Sequence, residues 1–523
     1  MALKVAIVGA GLSGLVSLKQ CLEEGFDATI FETRPAIGGQ WCYEEPDPVT
    51  GETTSSIYEG VLLNSCRDTS SFSDFPMDPA RYPDYFSHRG MLRYLEEYAD
   101  HFGLKKHIRF NTTVISCSQG KDGKWTVKTG RKEGRPVEDI YDAVFACSGS
   151  LAKPAIPKFE GLETFKGKVF HSRVYRRPSG LEGKRIAIIG FGNSAADLSS
   201  ELSWQAKELH LITRRGGWIV PRFVLGKPAE AYDSRVAETI LPAKFSQWCQ
   251  TKLCNHVMGT LPEVIQPEHG LMEANVTMRS DLLENIKTGR ITPHRAGVQK
   301  VTKTSLILTN GTSIDVDIII CCTGYRMNVP YVPEHSYRTK HNNEILNTSN
   351  SMDLYKLVAS PCFPNLFFIG FVELAGPLIP VSEAQARWAT SVLSNRIKLP
   401  SVTEMHDSIA AYQTYLASTM VNSDRHTVTV RYLPYCDTLL NDLGATPTFA
   451  QLFCKMLTSN PLTAAKILKA VYLGINSSAQ YRLFGHGSKP ELATAMLLRL
   501  ADGAGALSEE ERDILETSKL VTK

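Results

Sequence analysis

The chain has 523 residues, 43% hydrophobic and 21% charged, which allows two or three globular domains with a sizeable core. A net charge of +3, with no basic run interleaved with aromatics, argues against nucleic acid as a partner. Twelve scattered cysteines show no C-x-x-C couple and no zinc-ligand spacing, so free buried thiols in a reducing compartment and no metal site are expected.

The chain opens MALKVAIVGAG and runs straight into a strand, so no signal peptide is read. No window of eighteen uninterrupted apolar residues exists, so no transmembrane helix is expected. VAIVGAGLSGLVSLKQCLEEG reads as strand, turn and helix, the helix stopping at Gly25; ATIFE follows as a second strand and completes a βαβ start. Residues 42–60, polar and rich in Pro, Glu and Thr, read as a surface loop, and RGMLRYLEEYADHFGL as an amphipathic helix ending at Gly103. From Ile108 to Ala146 short strands alternate with turns, the pattern of an antiparallel meander ending in DAVFACSG. LAKPAIPKFEG is a Pro-rich linker. A second βαβ start follows in KRIAIIGFGNSAADLSSELSWQ and ELHLITRRG. Residues 218–290 carry helical patterns and few strands and read as an insertion. SLILTNGTSIDVDIIICCTGY returns to strands, with a hairpin signal at Asn310-Gly311. NLFFIGFVELAGPLIPVSEAQARWATSVL is a strand, a Pro/Gly loop and a helix, and the tail from about Thr448 is helical and amphipathic. The fold class is α/β, with two Rossmann-like dinucleotide-binding domains, a helical insertion and a helical C-terminal region.

The two glycine turns differ in the side chain that ends the next strand. The first, Gly9-x-Gly11-x-x-Gly14, sits between an apolar strand and a helix, where the fingerprint has mechanical meaning. Gly9 permits the tight turn, Gly11 lets a pyrophosphate approach, and Gly14 lets helix and strand pack; Ala10, Leu12 and Ser13 complete the helix N-terminus that meets the phosphates. Glu32 closes the next strand eighteen residues past Gly14, where a carboxylate accepts ribose hydroxyls and repels a 2′-phosphate. This site therefore wants FAD or NAD. The second turn is Gly190-x-Gly192-x-x-Ala195, and Asn193, Ser194, Ala196 and Asp197 continue its helix. Nineteen residues past Ala195, Arg214 and Arg215 stand where an acid would otherwise be, and forked guanidinium bonds suit the 2′-phosphate of NADP(H). Two such sites with opposite ribose chemistry imply hydride passing from NADPH to a flavin.

These residues and the stretches around them resemble the flavin-containing monooxygenases, the N- and S-oxygenating, dimethylaniline-monooxygenase-like branch of the class B flavoprotein monooxygenases. FKGKVFHSRVY, with Phe165, Gly167, His171 and Tyr175, matches that family's F-x-G-x-x-x-H-x-x-x-Y/F signature ahead of the NADP turn. Gly38-Gly39-Gln40-Trp41 matches its flavin-side G-G-x-W; Asn64-Ser65, after Leu63, matches its N-S element. CCTGY, SEAQARW and RHTV are similar to its linker, its late E-x-Q-x-R-W stretch and its animal branch.

The resemblance implies FAD held by the first turn with Glu32, Gly39, Gln40, Trp41, Asn64 and Ser65. It implies NADPH held by the second turn with Leu63, Asn64, Arg214 and Arg215. His171 and its neighbours are implied to keep the two domains in register at their junction. The implied division is 1–160 and 326–447 for the FAD-binding domain, 161–325 for the NADPH-binding domain with the insertion at about 218–290, and 448–523 for the tail. Reduced flavin is implied to take up O2 as a C4a-hydroperoxide and to oxygenate a soft nucleophile, amine nitrogen or sulfide sulfur, of a small molecule. Asn64 is the candidate catalytic residue, a polar donor beside that centre. Ending the signature in Tyr175-Arg176 instead of Trp-Pro favours heteroatom oxygenation over the Baeyer–Villiger alternative. An NADPH oxidase and a non-catalytic redox sensor are further alternatives; a disulfide reductase lacks its cysteine couple, Cys42 having no near partner. Animal relatives lie on the cytosolic face of the endoplasmic reticulum. Here the tail ends SEEERDILETSKLVTK, charged and without an anchor, so peripheral contact through PLTAAKILKAVYLGI, plain core packing of that helix, and a cytoplasmic location all stay open, as does a homo-oligomer.

Overall fold

A computed structural model describes residues 2–131, 134–151, 153–338, 350–458 and 460–502; the charged terminal stretch SEEERDILETSKLVTK lies outside them. The chain begins β1 (Lys4–Val8), α1 (Leu12–Glu23), β2 (Asp27–Phe31), α2 (His88–His101) and β3 (Ile108–Arg109). Next come β4 (Thr113–Gln119), β5 (Trp125–Gly130), β6 (Val137–Tyr141), β7 (Ala143–Ala146), β8 (Lys153–Pro154) and β9 (Lys168–His171). The second glycine turn lies between β10 (Arg185–Ile189) and α3 (Asn193–Leu202), followed by β11 (Glu208–Thr213). The insertion carries β12 (Phe223–Val224), β13 (Lys227–Pro228), α4 (Ala243–Met258) and α5 (Ser280–Lys287). Strands β14 (Thr292–Arg295), β15 (Val298–Val301), β16 (Ser305–Leu308), β17 (Ser313–Asp315), β18 (Ile318–Cys321) and β19 (Tyr325–Arg326) follow. Then come β20 (Leu366–Phe368), β21 (Glu373–Ala375), α6 (Leu378–Leu393), α7 (Val402–Thr419), β22 (Thr429–Arg431) and α8 (Tyr432–Leu440). Three helices end the described chain: α9 (Phe449–Thr458), α10 (Pro461–Leu473) and α11 (Pro490–Asp502).

Two parallel sheets organise these elements. One has the order β20-β7-β1-β2-β3, the other β14-β11-β10-β18-β9. Their central strands read VAIV, IAII and IIIC because both faces are covered, by helices on one side and on the other by the antiparallel strands β4-β5-β6 or β15-β16-β17, so every side chain needs to be apolar. The first sheet takes β20 from beyond the second, so the chain leaves the first sheet, builds the second and returns. The hairpin expected at Asn310-Gly311 joins β16 and β17, with Gly311 at φ +84°.

Three expectations change in detail. The meander is β4-β5-β6, but DAVFACSG leaves it: β7 is wholly buried and pairs with β1 in the parallel sheet. The segment 42–60 is not all surface, since Ser55, Ile57 and Tyr58 are buried. Its polar groups are satisfied across the junction between the sheets, so its composition misleads. Cys249, Cys362 and Cys454 are exposed rather than buried. No helix among the described residues is long and apolar enough to cross a membrane.

Candidate functional site

The first turn has the geometry its glycines require. Gly9 stands at φ +104°, and a Cβ on Gly14 would lie 1.8 Å from the Gly9 carbonyl oxygen, so helix and turn close only without a side chain there. Gly11 faces the Gly39 backbone, 3.5 Å from where its Cβ would be, and the start of α1 has no side-chain cap. Bare backbone and uncapped N–H groups are the cradle a pyrophosphate fits. Glu32 is buried, accepting from the Ala10 N–H at 2.6 Å and the Arg34 N–H at 2.9 Å. Each carboxylate oxygen keeps a second lone pair for a ribose hydroxyl. Leu12 is buried, Ser13 hydroxyl meets that of Ser382 at 3.1 Å, Gln40 donates to Ser56, and Trp41 packs on the core of this unit. The Arg34 guanidinium, unremarked in the sequence, donates to the Gly39 carbonyl and so ties the two glycine segments together.

At the second turn Gly190 has φ +125°, and a Cβ would clash at 2.3 Å with the Cys322 carbonyl. Ala195 and Ala196 are buried against β10 and its neighbours, while Asn193 and Ser194 are half-buried at the uncapped helix start. Asp197 does not face the turn. It is buried, accepts the Tyr58 hydroxyl, and pairs with Arg279 at 3.3 Å; burial raises its carboxyl above the ordinary range. Tyr58 and Arg279 were invisible as partners because they lie far away in the chain. Arg214 and Arg215 directly follow β11, both exposed. Arg215 donates to the Asn422 carbonyl at 2.9 Å; Arg214 makes no hydrogen bond or ion pair with a described residue.

The signature stretch lies between the two units. A Cβ on Gly167 would sit 2.2 Å from the Asp317 carbonyl and 2.6 Å from the Phe165 ring, so glycine lets β9 close onto β18 beneath that ring. His171 Nδ1 accepts from the Arg173 N–H at 3.1 Å, and Nε2 lies 3.0 Å from the Gly324 carbonyl. A carbonyl only accepts, so Nε2 carries the hydrogen and the ring is neutral; burial lowers its pKa accordingly. Its edge meets the Tyr325 ring at 5.1 Å. His171 thereby fastens the CCTGY linker to β9. Tyr175 donates to Glu201 on α3 at 2.9 Å. Arg173 and Arg176 reach the carbonyls of Thr53 and Ser55, at 2.8 Å and 3.0 Å, which is what buries the 42–60 segment.

A cavity of about 990 Å³ opens between the first unit, the insertion and the helices after α6. Asn64, Ser65 and Asn193 lie on its wall, with Tyr412, Tyr432 and Leu354 beyond them. Asn64 and Asn193 thus bring the flavin-side element and the second turn to one space. Arg222, on the insertion, donates from Nη2 to Asn64 Oδ1 at 2.8 Å and from Nε to the Leu63 carbonyl at 3.1 Å. With its carbonyl taken, the Asn64 carboxamide offers its NH2. The Tyr85 hydroxyl shares its one hydrogen between the Arg222 carbonyl, 2.7 Å away, and Glu230, 2.5 Å away, and Glu230 also accepts the Cys66 N–H at 2.8 Å. Asp233 on the same wall is pushed up to about 7 by burial and by Glu238 and Glu230. No cluster of metal-ligating side chains exists among the described residues.

Residues 2–509 match the family model described as "Flavin-binding monooxygenase-like". The chain belongs to this family. It is similar to dimethylaniline monooxygenase (N-oxide-forming) 2 of Rattus norvegicus, 34% identical over 513 residues, covering 95% of this chain and 91% of the relative. Flavin-containing monooxygenase 5 of Rattus norvegicus is 34% identical over 502 residues, 92% and 89% of the two chains. Among solved structures, S-allyl-L-cysteine S-oxygenase from Allium sativum superposes with a TM-score of 0.64 at 27% identity, covering 89% of this chain and 95% of its own. Cyclohexanone monooxygenase from a Rhodococcus species shares the fold, with a TM-score of 0.61 at 18% identity, covering 85% and 98%. Membership makes the chain a flavin-dependent monooxygenase, acting with O2 on a small molecule.

Proposed function

We propose that this chain is an NADPH-dependent flavin monooxygenase that oxygenates amine nitrogen or sulfide sulfur of small molecules. The observation that carries it is that Asn64, held as a donor by Arg222, and Asn193 of the second turn line the same cavity. The names of the relatives point the same way: N-oxide-forming dimethylaniline monooxygenases and an S-oxygenase. The flavin, when bound, supplies hydride acceptance and oxygen activation. The chain binds it at Gly9 to Gly14, Glu32 and Gly39 to Trp41, and holds NADPH at Gly190 to Ser194 with Arg214 and Arg215 on the 2′-phosphate. Asn64 donates from its amide at the oxygenation centre, and the apolar and aromatic wall excludes bulk water. No nucleophile of the protein takes part. His171 and Tyr175 keep the two units in register. The division 1–160, 161–325, 326–447 and 448–523 belongs to the same reading.

We place the protein at the cytosolic face of the endoplasmic reticulum as a peripheral protein, on family likeness. The helix α10 divides between core packing and that contact: Ile467, Ala470 and Val471 of its apolar stripe are buried in the core of the tail, while Leu462 and Leu473 at its ends are exposed. Phe245 and Trp248 on α4, 50% and 57% exposed, offer a second apolar face.

The test is to purify the protein, identify its flavin, and follow NADPH, O2 and product mass with a panel of tertiary amines, sulfides and ketones. N-oxides or S-oxides formed in step with NADPH are expected. Hydrogen peroxide alone, in stoichiometry with NADPH, would make it an oxidase instead.

A further inference from the structure

The RHTV stretch, Arg425 to Val428, has no role in the reading above, yet it lies beside the second turn. A Cβ built on Gly192 would come 2.9 Å from Arg425 Nη1 and 3.3 Å from Nη2, so the guanidinium lies directly over the residue that opens α3. Arg425 is fixed from behind: its Nε donates to Glu373 Oε1 at 2.9 Å, while Nη1 and Nη2 donate to no described residue. Glu373 is a well-anchored partner. It also accepts Asn275 Nδ2 at 2.7 Å, His426 Nδ1 at 3.0 Å and the Thr429 hydroxyl at 2.9 Å. Burial alone would raise the Glu373 carboxyl, but the His426 hydrogen bond and the Arg425 charge outweigh it and hold it below the ordinary range.

The loop that carries Arg425 is tied to the second unit at two other points. Arg215 donates to the Asn422 carbonyl at 2.9 Å, and the Val421 N–H donates to the Glu273 carbonyl at 2.8 Å. Residues 421–425 therefore run from the arginine expected at the ribose phosphate to the glycine expected at the pyrophosphate.

We propose that Arg425 binds the pyrophosphate of the nicotinamide coenzyme. It supplies from the return segment of the chain the cation that the second turn lacks, and it closes that segment over the coenzyme. The geometry suits this. Nη1 and Nη2, two NH2 groups with no described acceptor, lie at the uncapped start of α3, where an anion would already be favoured, and a diphosphate accepts forked bonds from a guanidinium. The proposal rests on the reading of the second turn as the NADP site.

Calorimetric titration of the FAD-loaded protein with NADP⁺ and with adenosine 2′-monophosphate separates the two. The second ligand has the 2′-phosphate but no pyrophosphate. Arg425→Gln is expected to weaken NADP⁺ roughly 10- to 100-fold, the effect of losing charge-assisted hydrogen bonds, and to leave the monophosphate within about twofold. Arg425→Lys, which keeps the charge, should fall between and guards against a folding defect; flavin content and melting temperature monitor both variants. Unchanged NADP⁺ affinity in Arg425→Gln, or equal weakening of both ligands, overturns the assignment. If the unmodified protein binds neither ligand, the coenzyme reading itself fails and this inference falls with it.

Discussion

The hydrogen bond from Arg222 to Asn64 makes a quantitative prediction about oxygen chemistry. Arg222→Met keeps side-chain length and removes both donors, to Asn64 Oδ1 and to the Leu63 carbonyl. A hydrogen bond from a charged donor is worth about 1.5–3 kcal/mol. With Arg222 present, an amide flipped the wrong way is therefore disfavoured roughly 10- to 100-fold. Without it the two orientations become comparable, and about half the molecules aim a carbonyl into the cavity. The expected loss of coupled oxygenation is thus only about two- to fivefold, larger than two because the Leu63 carbonyl is freed as well. Asn64→Ala removes the donor from every molecule and should cost about 10- to 100-fold in coupling. The assay is hydrogen peroxide and oxygenated product measured per NADPH consumed, with flavin reduction under anaerobic conditions as the control. Reduction should be little changed in both variants. If Arg222→Met uncouples as severely as Asn64→Ala, Arg222 acts on the reaction itself and not through the amide. If Asn64→Ala stays coupled, Asn64 leaves the mechanism.

Four other perturbations test separate parts of the structure. Replacing Arg214 and Arg215 together with Ala should weaken NADPH by about 2–4 kcal/mol and leave NADH nearly untouched; preference for NADH in the unmodified protein would contradict the assignment. Gly11→Val puts a branched side chain against the bare Gly39 backbone and should give soluble protein that purifies colourless, whereas retained stoichiometric FAD would move the flavin elsewhere. His171 is held neutral with its pKa below the ordinary 6.5, so its contribution is full above that pH and is lost as the unfolded chain takes up a proton on acidification. The difference in melting temperature between unmodified protein and His171→Gln should therefore be largest near pH 8 and shrink towards pH 5, and a pH-independent difference would disprove the neutral ring. Asp233 has the opposite sign: raised from 3.8 to about 7, it penalises the fold as pH rises, at most by about 4 kcal/mol. Asp233→Asn should stabilise more at pH 8 than at pH 5, and equal effects at both would show an ordinary carboxylate.

What could be read from the sequence is what repeats locally. Continuous apolar runs such as IAII and IIIC mark strands covered on both faces, and Gly9, Gly14 and Gly190 carry their geometric need in their spacing. Partners across the fold have no such period. Tyr58 looks like part of a polar loop because its acceptor, Asp197, is 139 residues away. Arg222 sits in an insertion that reads as generic helix, yet it holds Asn64 across 158 positions. Asp197 shows the converse: its place after the second turn suggested the coenzyme, but the helical period turns it a full turn past the phosphates and into the junction, where Arg279 and Tyr58 meet it.

The late SEAQARW stretch shows how the site depends on parts of the chain far from it. Glu383 accepts the Ser73 N–H at 2.8 Å and pairs with Arg482 at 2.7 Å; Arg482 also reaches Asp74 at 3.0 Å. Asp74 further meets Lys489 at 2.8 Å and Lys19 of α1, which pairs with Glu23 at 2.7 Å. Lys19, Arg482 and Lys489 thus balance Glu23, Asp74 and Glu383, while Arg387 turns to the carbonyls of Tyr481 and His486. Burial alone would raise the Asp74 carboxyl, but Lys19, Arg482 and Lys489 hold it well below the ordinary range. Buried charges are tolerable only in company, and removing one partner leaves the others unpaired at a cost of about 3–5 kcal/mol. The segment 478–489 of the tail is therefore pinned to the first unit by its charges. Through Ser73, Asp74 and the bond from Ser478 to the Ser71 carbonyl at 2.8 Å, it fixes the loop that begins at Asn64. The Asn64 amide is held directly by the insertion, through Arg222, and the loop that follows it is held by the C-terminal region through Ser71, Ser73 and Asp74. Neither support is adjacent to it in the chain, so the local N-S element can act only in the assembled fold.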